Sequence, residues 1–185
     1  MLNKNFFLNS DDLKKIGIKC GKNCTIHSTA NISNFKNLIL GDNVRIDAFC
    51  NLITTKKIFI KSYVHVGSYS LLYANKRIIM LEKFSGLSAG TQIYTNTDDY
   101  LGNHFYGPFN KNKNSGKSSK IIIGKYAIVG SNSVILPGSQ IPEGVIVGAL
   151  SVVSHKLKSW GIYKGHPAQY IMPRKKNFIH KIKLK

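Results

Sequence analysis

Between Tyr94 and Lys120 the sequence reads YTNTDDYLGNHFYGPFNKNKNSGKSSK, and its first half holds the side chains best suited to moving a proton. Asp98 and Asp99 stand side by side, and His104 follows six residues after Asp98. An imidazole exchanges a proton near neutral pH, and burial or a neighbouring carboxylate can lift an aspartate toward that range. Plainer roles compete, since aspartate favours turns and a loop histidine is often only solvated. Tyr94, Tyr100, Phe105 and Tyr106 suit stacking on a sugar ring, and suit packing equally. Outside this segment His65 precedes an apolar position and should point outward, within reach of a substrate. His27 and His155 read as surface residues. Cys20, Cys24 and Cys50 form an odd set with no C-x-x-C pair and no histidine pair at zinc spacing. Neither a disulfide framework nor a metal site is expected.

The elements that must position these residues follow from a repeat. Aliphatic residues recur six apart at Ile123, Val129, Ile135, Ile141, Val147 and Val153, with Gly124, Gly130 and Gly148 directly after three of them. The same spacing runs upstream in blocks: Cys20, Ile26, Ile32; Leu40, Ile46, Leu52; Ile60, Val66, Leu72; Leu81, Leu87, Ile93. Between blocks the register slips by two or three residues. A spacing of six suits neither an amphipathic helix nor an alternating strand. It suits a coil with three flat sides, one inward aliphatic per side, with glycines at the corners and each coil covering its neighbours. The expected fold is therefore all-β, a left-handed parallel β-helix of about six coils over residues 17–153. A long loop, 94–120, interrupts it between coils four and five. Residues 1–16 form a cap, in which Ser10-Asp11-Asp12-Leu13-Lys14-Lys15 reads as a helical turn. Residues 154–185 form a C-terminal extension whose tail, RKKNFIHKIKLK, mixes bases with apolar residues.

The net charge is +19, from 27 basic and 8 acidic residues. Such an excess implies an anionic partner or simply a well-solvated surface. No nucleic-acid reader motif accompanies it, so nucleic acid is not expected. No apolar run reaches membrane-spanning length, and the N-terminal MLNKNFFLNSDD has no signal-peptide pattern, so a cytoplasmic protein is expected. The basic tail could touch the anionic inner face of a membrane, or could cover the protein itself.

The stretches GSNSVILPG, from Gly130, and GHPAQYI, from Gly165, closely resemble the C-terminal half of the hexapeptide-repeat acetyltransferases, which act on maltose, galactosides, serine and capsular or lipopolysaccharide sugars. The resemblance covers about Gly17 to Arg174. It implies a homotrimer, acetyl-CoA as co-substrate and active sites in clefts between subunits. Carried over by position, Gly130, Ser131, Gly148, Ala149 and Ser151 would line the donor groove, where small residues allow close approach. Lys164, His166, Pro167 and Arg174 would lie near the nucleotide end, where bases suit phosphates. His65, Tyr94 and Tyr100 would face the acceptor.

The resembling enzymes place a histidine early in the loop, in a pattern like I-Y-T-x-x-H. Here the pattern is Ile93-Tyr94-Thr95-Asn96-Thr97-Asp98, with Asp98 in the histidine's place. An alcohol needs a base to attack a thioester. Asp98 with Asp99 could supply it, or His104 could. Alternatively the acceptor is an amine, which attacks with little help. The leading expectation is sugar O-acetylation in surface-polysaccharide synthesis, by direct attack in a ternary complex. The alternative is N-acylation of an amino-sugar nucleotide. A zinc enzyme of the γ-carbonic anhydrase type is disfavoured, since His27, His65 and His104 lack the needed arrangement.

Overall fold

The computed structural model describes residues 6–103 and 116–181. Short parallel strands stack on three faces. The first face runs through Thr25–His27, Arg45–Ile46, His65–Val66, Gly86–Leu87, Ile128–Val129, Ile146–Val147 and Gly161–Lys164. The second holds Asn31–Ile32, Asn51–Ile53, Leu71–Tyr73, Gln92–Tyr94, Val134–Ile135 and Val152–Val153. The third holds Leu38–Leu40, Ile58–Ile60, Ile79–Leu81 and Ile121–Ile123. The aliphatics spaced six apart form the interior columns: Ile46, Val66, Leu87, Val129 and Val147 on the first face are all within 2% of full burial. Each such side chain contributes roughly 1.5–3 kcal/mol by leaving water.

Two features depart from a uniform six-residue side. The third face buries two residues per strand, as in Ile58 with Ile60 and Ile79 with Leu81. The pairing register makes the coil from Leu40 to Ile60 twenty residues long and the next, to Leu81, twenty-one. Ile123 and Ile141 pair only eighteen apart. The register slips in the sequence are thus longer passages from the second face to the third, and the 94–120 insertion enlarges that same corner.

Glycine, moreover, does not make most of the corners. The left-handed positions between third and first face carry Asn23, Asn43, Tyr63, Phe84, Tyr126, Gly144 and Trp160. Side chains rarely adopt this conformation. Here stacking offsets its cost: Tyr63 lies 5.0 Å from Phe84, and Phe84 lies 5.3 Å from Tyr126. Glycines after inward residues serve axial closeness instead. A Cβ on Gly130 would meet Ala149 N at 2.5 Å, and one on Gly67 would meet Ala89 N at 2.7 Å.

Both ends are covered. Asn9 caps the helix Ser10–Lys15, its side chain accepting from Asp11 and Asp12 N–H, and fully buried Leu13 closes the first coil. At the far end Gly161–Lys164 pairs antiparallel with Gln169–Pro173. Arg174 then turns inward, donating to the carbonyls of Tyr126 and Gly144. Its guanidinium lies 4.6 Å from the Phe178 ring, which packs on Tyr126 and Trp160.

Candidate active site

Two hollows on different parts of the prism hold Asp98, Asp99 and Tyr100 in one and His65 in the other. The first, about 670 Å3, lies where the loop leaves the second face. Its neck is an antiparallel bridge between Asn96 and Ser118, with Thr97 N–H donating to Lys117 C=O at 2.9 Å. Asp98, Asp99 and Tyr100 line it, facing Leu136, Pro137 and Ser154. Gly116 allows the two arms to approach, since a Cβ there would meet Thr97 O and Asp98. Asp99 folds back to accept from Leu101 N–H at 3.0 Å, the turn role open to any aspartate. His104, the third candidate base, lies outside the described residues.

The second hollow, about 560 Å3, opens on the first face. His65 lines it together with Asp47, Ser68, Gly86 and Ser88, and Tyr63 and Phe84 of the aromatic column form one side. Asp47 is the hub: its Oδ2 lies 2.6 Å from His65 Nε2, and its Oδ1 accepts from Arg45 Nε at 2.7 Å. Burial by itself would raise the Asp47 carboxyl, but the hydrogen bonds and charges of Arg45 and His65 outweigh it and hold the group below the usual carboxylate value. Asp47, Ser68, Gly86 and Ser88 were not singled out in the sequence. The coil register carries the signal, because Arg45 pairs with His65, placing Asp47 on the diagonal to it.

The small residues expected along the donor groove continue this line. The positions following the inward column of the first face are Asp47, Gly67, Ser88, Gly130, Gly148 and Lys164. Gly130, Ser131, Gly148 and Ala149 thus extend from the His65 hollow toward exposed Lys164, His166 and Pro167. Two residues of the expected set sit differently. Ser151 is fully buried, its hydroxyl accepting from Gly165 N–H at 3.1 Å, so its side chain belongs to the corner and not to the groove surface. Arg174 spends its guanidinium on backbone carbonyls and Phe178, and burial lowers its pKa. Tyr94 lines neither hollow, its hydroxyl donating to Gln92 at 2.7 Å, and burial raises that phenol. Tyr100 is 82% exposed at the loop hollow. Within one chain the Asp98 and His65 hollows share no lining residue.

Two of the cysteines, Cys24 and Cys50, act as buried corner fillers. Cys50 Sγ donates to Gly67 C=O and Cys24 Sγ to Gly41 C=O. Burial pushes the Cys50 thiol up to about 11. Among the described residues no three His, Cys, Asp or Glu side chains converge on a metal position. No helix among them is long and apolar enough to cross a membrane.

Three faces of stacked short strands, interior aliphatic columns and a long loop at a single corner define a class. This chain belongs to the hexapeptide-repeat acyltransferases, left-handed parallel β-helix enzymes that act on sugars. It is 31% identical over 176 residues to the dTDP-4-amino-4,6-dideoxy-D-glucose acyltransferase of Escherichia coli, covering 94% of this chain and 91% of that one. The solved structure of AntD, an N-acyltransferase from Bacillus cereus, in complex with dTDP and 3-hydroxybutyryl-CoA superimposes with a TM-score of 0.89. It is 39% identical and covers 96% of this chain and 95% of that one. AntD has also been solved with one aspartate substituted and with one serine, ten residues before it, substituted, the latter with dTDP-4-amino-4,6-dideoxyglucose and coenzyme A bound. A maltose O-acetyltransferase from Clostridium difficile, at 22% identity and a TM-score of 0.58, shares the fold alone. No protein-family model matches the chain.

Proposed function

We propose that this chain transfers an acyl group from a CoA thioester to the amino group of a nucleotide-linked 4-amino-dideoxy sugar. The carrying observation is near-full-length similarity to a dTDP-amino-sugar acyltransferase and to an N-acyltransferase solved with such a sugar nucleotide bound, joined to a local match in spacing. Ser88 and Asp98 stand ten residues apart, as do the serine and aspartate substituted in AntD. The chemistry agrees. A neutral amine is a far better nucleophile than an alcohol, so aspartate in place of the loop histidine is no obstacle. In this reading Asp98 holds the acceptor's amino group, Asp99 shapes the turn beneath it, and Tyr100 covers the sugar.

The donor lies along Gly130, Ser131, Gly148 and Ala149, whose small side chains admit a pantetheine arm. Lys164 and His166, flanking the Pro167 turn, meet its phosphates. A homotrimer would bring one chain's loop hollow beside a neighbour's first face, completing a cleft from two separate half-sites. The working compartment is the cytoplasm, where CoA thioesters and nucleotide sugars are made. Phe178 and Arg174 are taken up by the chain's own Trp160 cluster, which favours a covering role for the tail over membrane contact.

The test offers the purified protein acetyl-CoA with either dTDP-4-amino-4,6-dideoxyglucose or dTDP-glucose. Thiol release is followed, and the product is identified by mass spectrometry. Amide formation on the amino sugar, with little turnover of the hydroxyl sugar, is the expected outcome. Ester formation at comparable or higher kcat/KM would overturn the reading in favour of O-acetylation.

A further inference from the structure

Gly86 occupies an outward position on the first face, in register with His65 on one side and Ile128 on the other. Elsewhere in this row stand Thr25, Arg45, Ile128, Ile146 and Ile162. A Cβ at Gly86 would come no nearer to the rest of the chain than 3.9 Å, from His65 O. Its backbone is not in the left-handed region that favours glycine. Neither packing nor conformation within the chain therefore requires a glycine, and glycine weakens a strand. What its absent side chain does is keep the space beside the His65 ring open.

The ring next to that space has a fixed orientation. Asp47 is ionised at neutral pH and only accepts, so His65 Nε2 must carry the hydrogen it shares at 2.6 Å. Nδ1 then bears the lone pair of the neutral ring, and among the described residues it makes no hydrogen bond. Arg45 locks the other carboxylate oxygen, while its guanidinium sits 4.8 Å from the Phe7 ring. The charged and titratable groups around the imidazole are Asp47 and Arg45 from the coil before and Tyr63 from its own coil. The coil after lines the hollow from Phe84 to Ala89 and brings no charged or titratable group to it. A carboxylate that orients a histidine lining a hollow, and leaves its other nitrogen without a hydrogen bond among the described residues, is the arrangement of a general base.

We infer that His65 is the base of the acyl transfer, that Asp47 is its positioning residue, and that Gly86 keeps room for the reacting atoms. The inference rests on the amine-acylation reading above. The acceptor amine attacks the thioester carbon, forming the C–N bond. His65 Nδ1 removes the proton the nitrogen must lose. The tetrahedral centre collapses with cleavage of the C–S bond, and the imidazolium returns that proton to the departing thiolate. The products are the amide and free CoA thiol, with no other reactant consumed.

Three variants test this in the full-length protein, each checked for its melting temperature and oligomeric state. His65→Ala should lower kcat by about 100-fold or more, the usual scale for a lost base, with little change in either KM. Added imidazole should restore part of the rate saturably, which a purely structural residue would not permit. Asp47→Asn should lower kcat by about 10-fold or more, because an amide no longer fixes the Nε2–H tautomer. Gly86→Val should melt at or above the wild-type temperature yet lose most activity, since it fills the hollow without disturbing the coil. Wild-type turnover of the amino sugar combined with a fully active His65→Ala overturns this inference alone. Lack of wild-type turnover on the amino sugar sinks the functional reading instead. A His65→Ala protein that is inactive, normally folded and unresponsive to imidazole overturns the role of base.

Discussion

The serine and aspartate lying ten residues apart make the first residue-scale prediction. Asp98→Asn and Ser88→Ala should each cut kcat/KM for the amino sugar by about 10- to 100-fold, the worth of one hydrogen bond to a charged group. Neither residue is in the core, so the melting temperature should stay near wild type. Steady-state kinetics with both substrates varied will tell, and full activity of Asp98→Asn would remove the loop aspartate from the site. Asp47 makes a second prediction. Its folded pKa lies below the unfolded one, so its contribution to stability is complete above about pH 3.9 and fades as the pH falls through the lower folded value. The difference in melting temperature between wild type and Asp47→Asn should accordingly persist from neutrality to about pH 4 and close below it. A gap independent of pH down to 2 contradicts the arrangement. Asp98 was legible in the sequence because it interrupts a recognisable loop pattern. The outward aim of His65 was legible from its place before inward Val66. Its partnership with Asp47 was not, because it joins two coils diagonally, and the residue offset depends on coil lengths that only the register reveals. Ser151 misled for a related reason. It occupies the buried corner position also filled by Cys50, Ser70, Thr91 and Ser133, and small size there reflects interior crowding rather than ligand approach.

At the scale of the element, the corner is where this chain departs most from a plain six-residue rule. Spacing alone made the inward columns visible, since burial demands an aliphatic at each. It could not assign the turns, because aromatic residues in left-handed backbone gain their tolerance from stacking on the coils above and below, which is a tertiary effect. Gly144 is the exception in that aromatic column, and Trp160 explains it. Its φ is +72°, and a Cβ would meet the indole at 2.3 Å. Gly144→Ala should therefore cost about 1–3 kcal/mol, from backbone strain together with displacement of the ring. The chain contains a single tryptophan, so its fluorescence reports that displacement directly. Urea unfolding should show a lower midpoint, accompanied by a shifted emission maximum before unfolding begins. An unchanged midpoint and spectrum would mean that the indole can move aside freely, contrary to its packing against Tyr126, Phe178 and the Lys176 ammonium.

Across the whole molecule, the repeat and the place of the loop between the fourth and fifth coils could be anticipated, because a stack of coils is a nearly one-dimensional object in which each unit contacts only its neighbours. The charge is the part that the fold does not require. The ion pairs that Lys14 and Arg45 form draw on Asp11 and Asp47, and with 27 basic against 8 acidic residues most of the basic excess remains uncompensated. Both proposed substrates carry several phosphate charges, and a cationic surface raises the local concentration of such ligands. Screening shortens that reach from about 10 Å at 0.1 M salt to about 3 Å at 1 M. If the charge serves capture, kcat/KM for each substrate should fall severalfold over that range while kcat stays level, because encounter is weakened and chemistry is not. Dephospho-CoA, with fewer charges, should show a shallower fall than CoA. Equal slopes for the two donors, or no salt dependence at all, would assign the +19 charge to solubility and leave substrate capture to the groove.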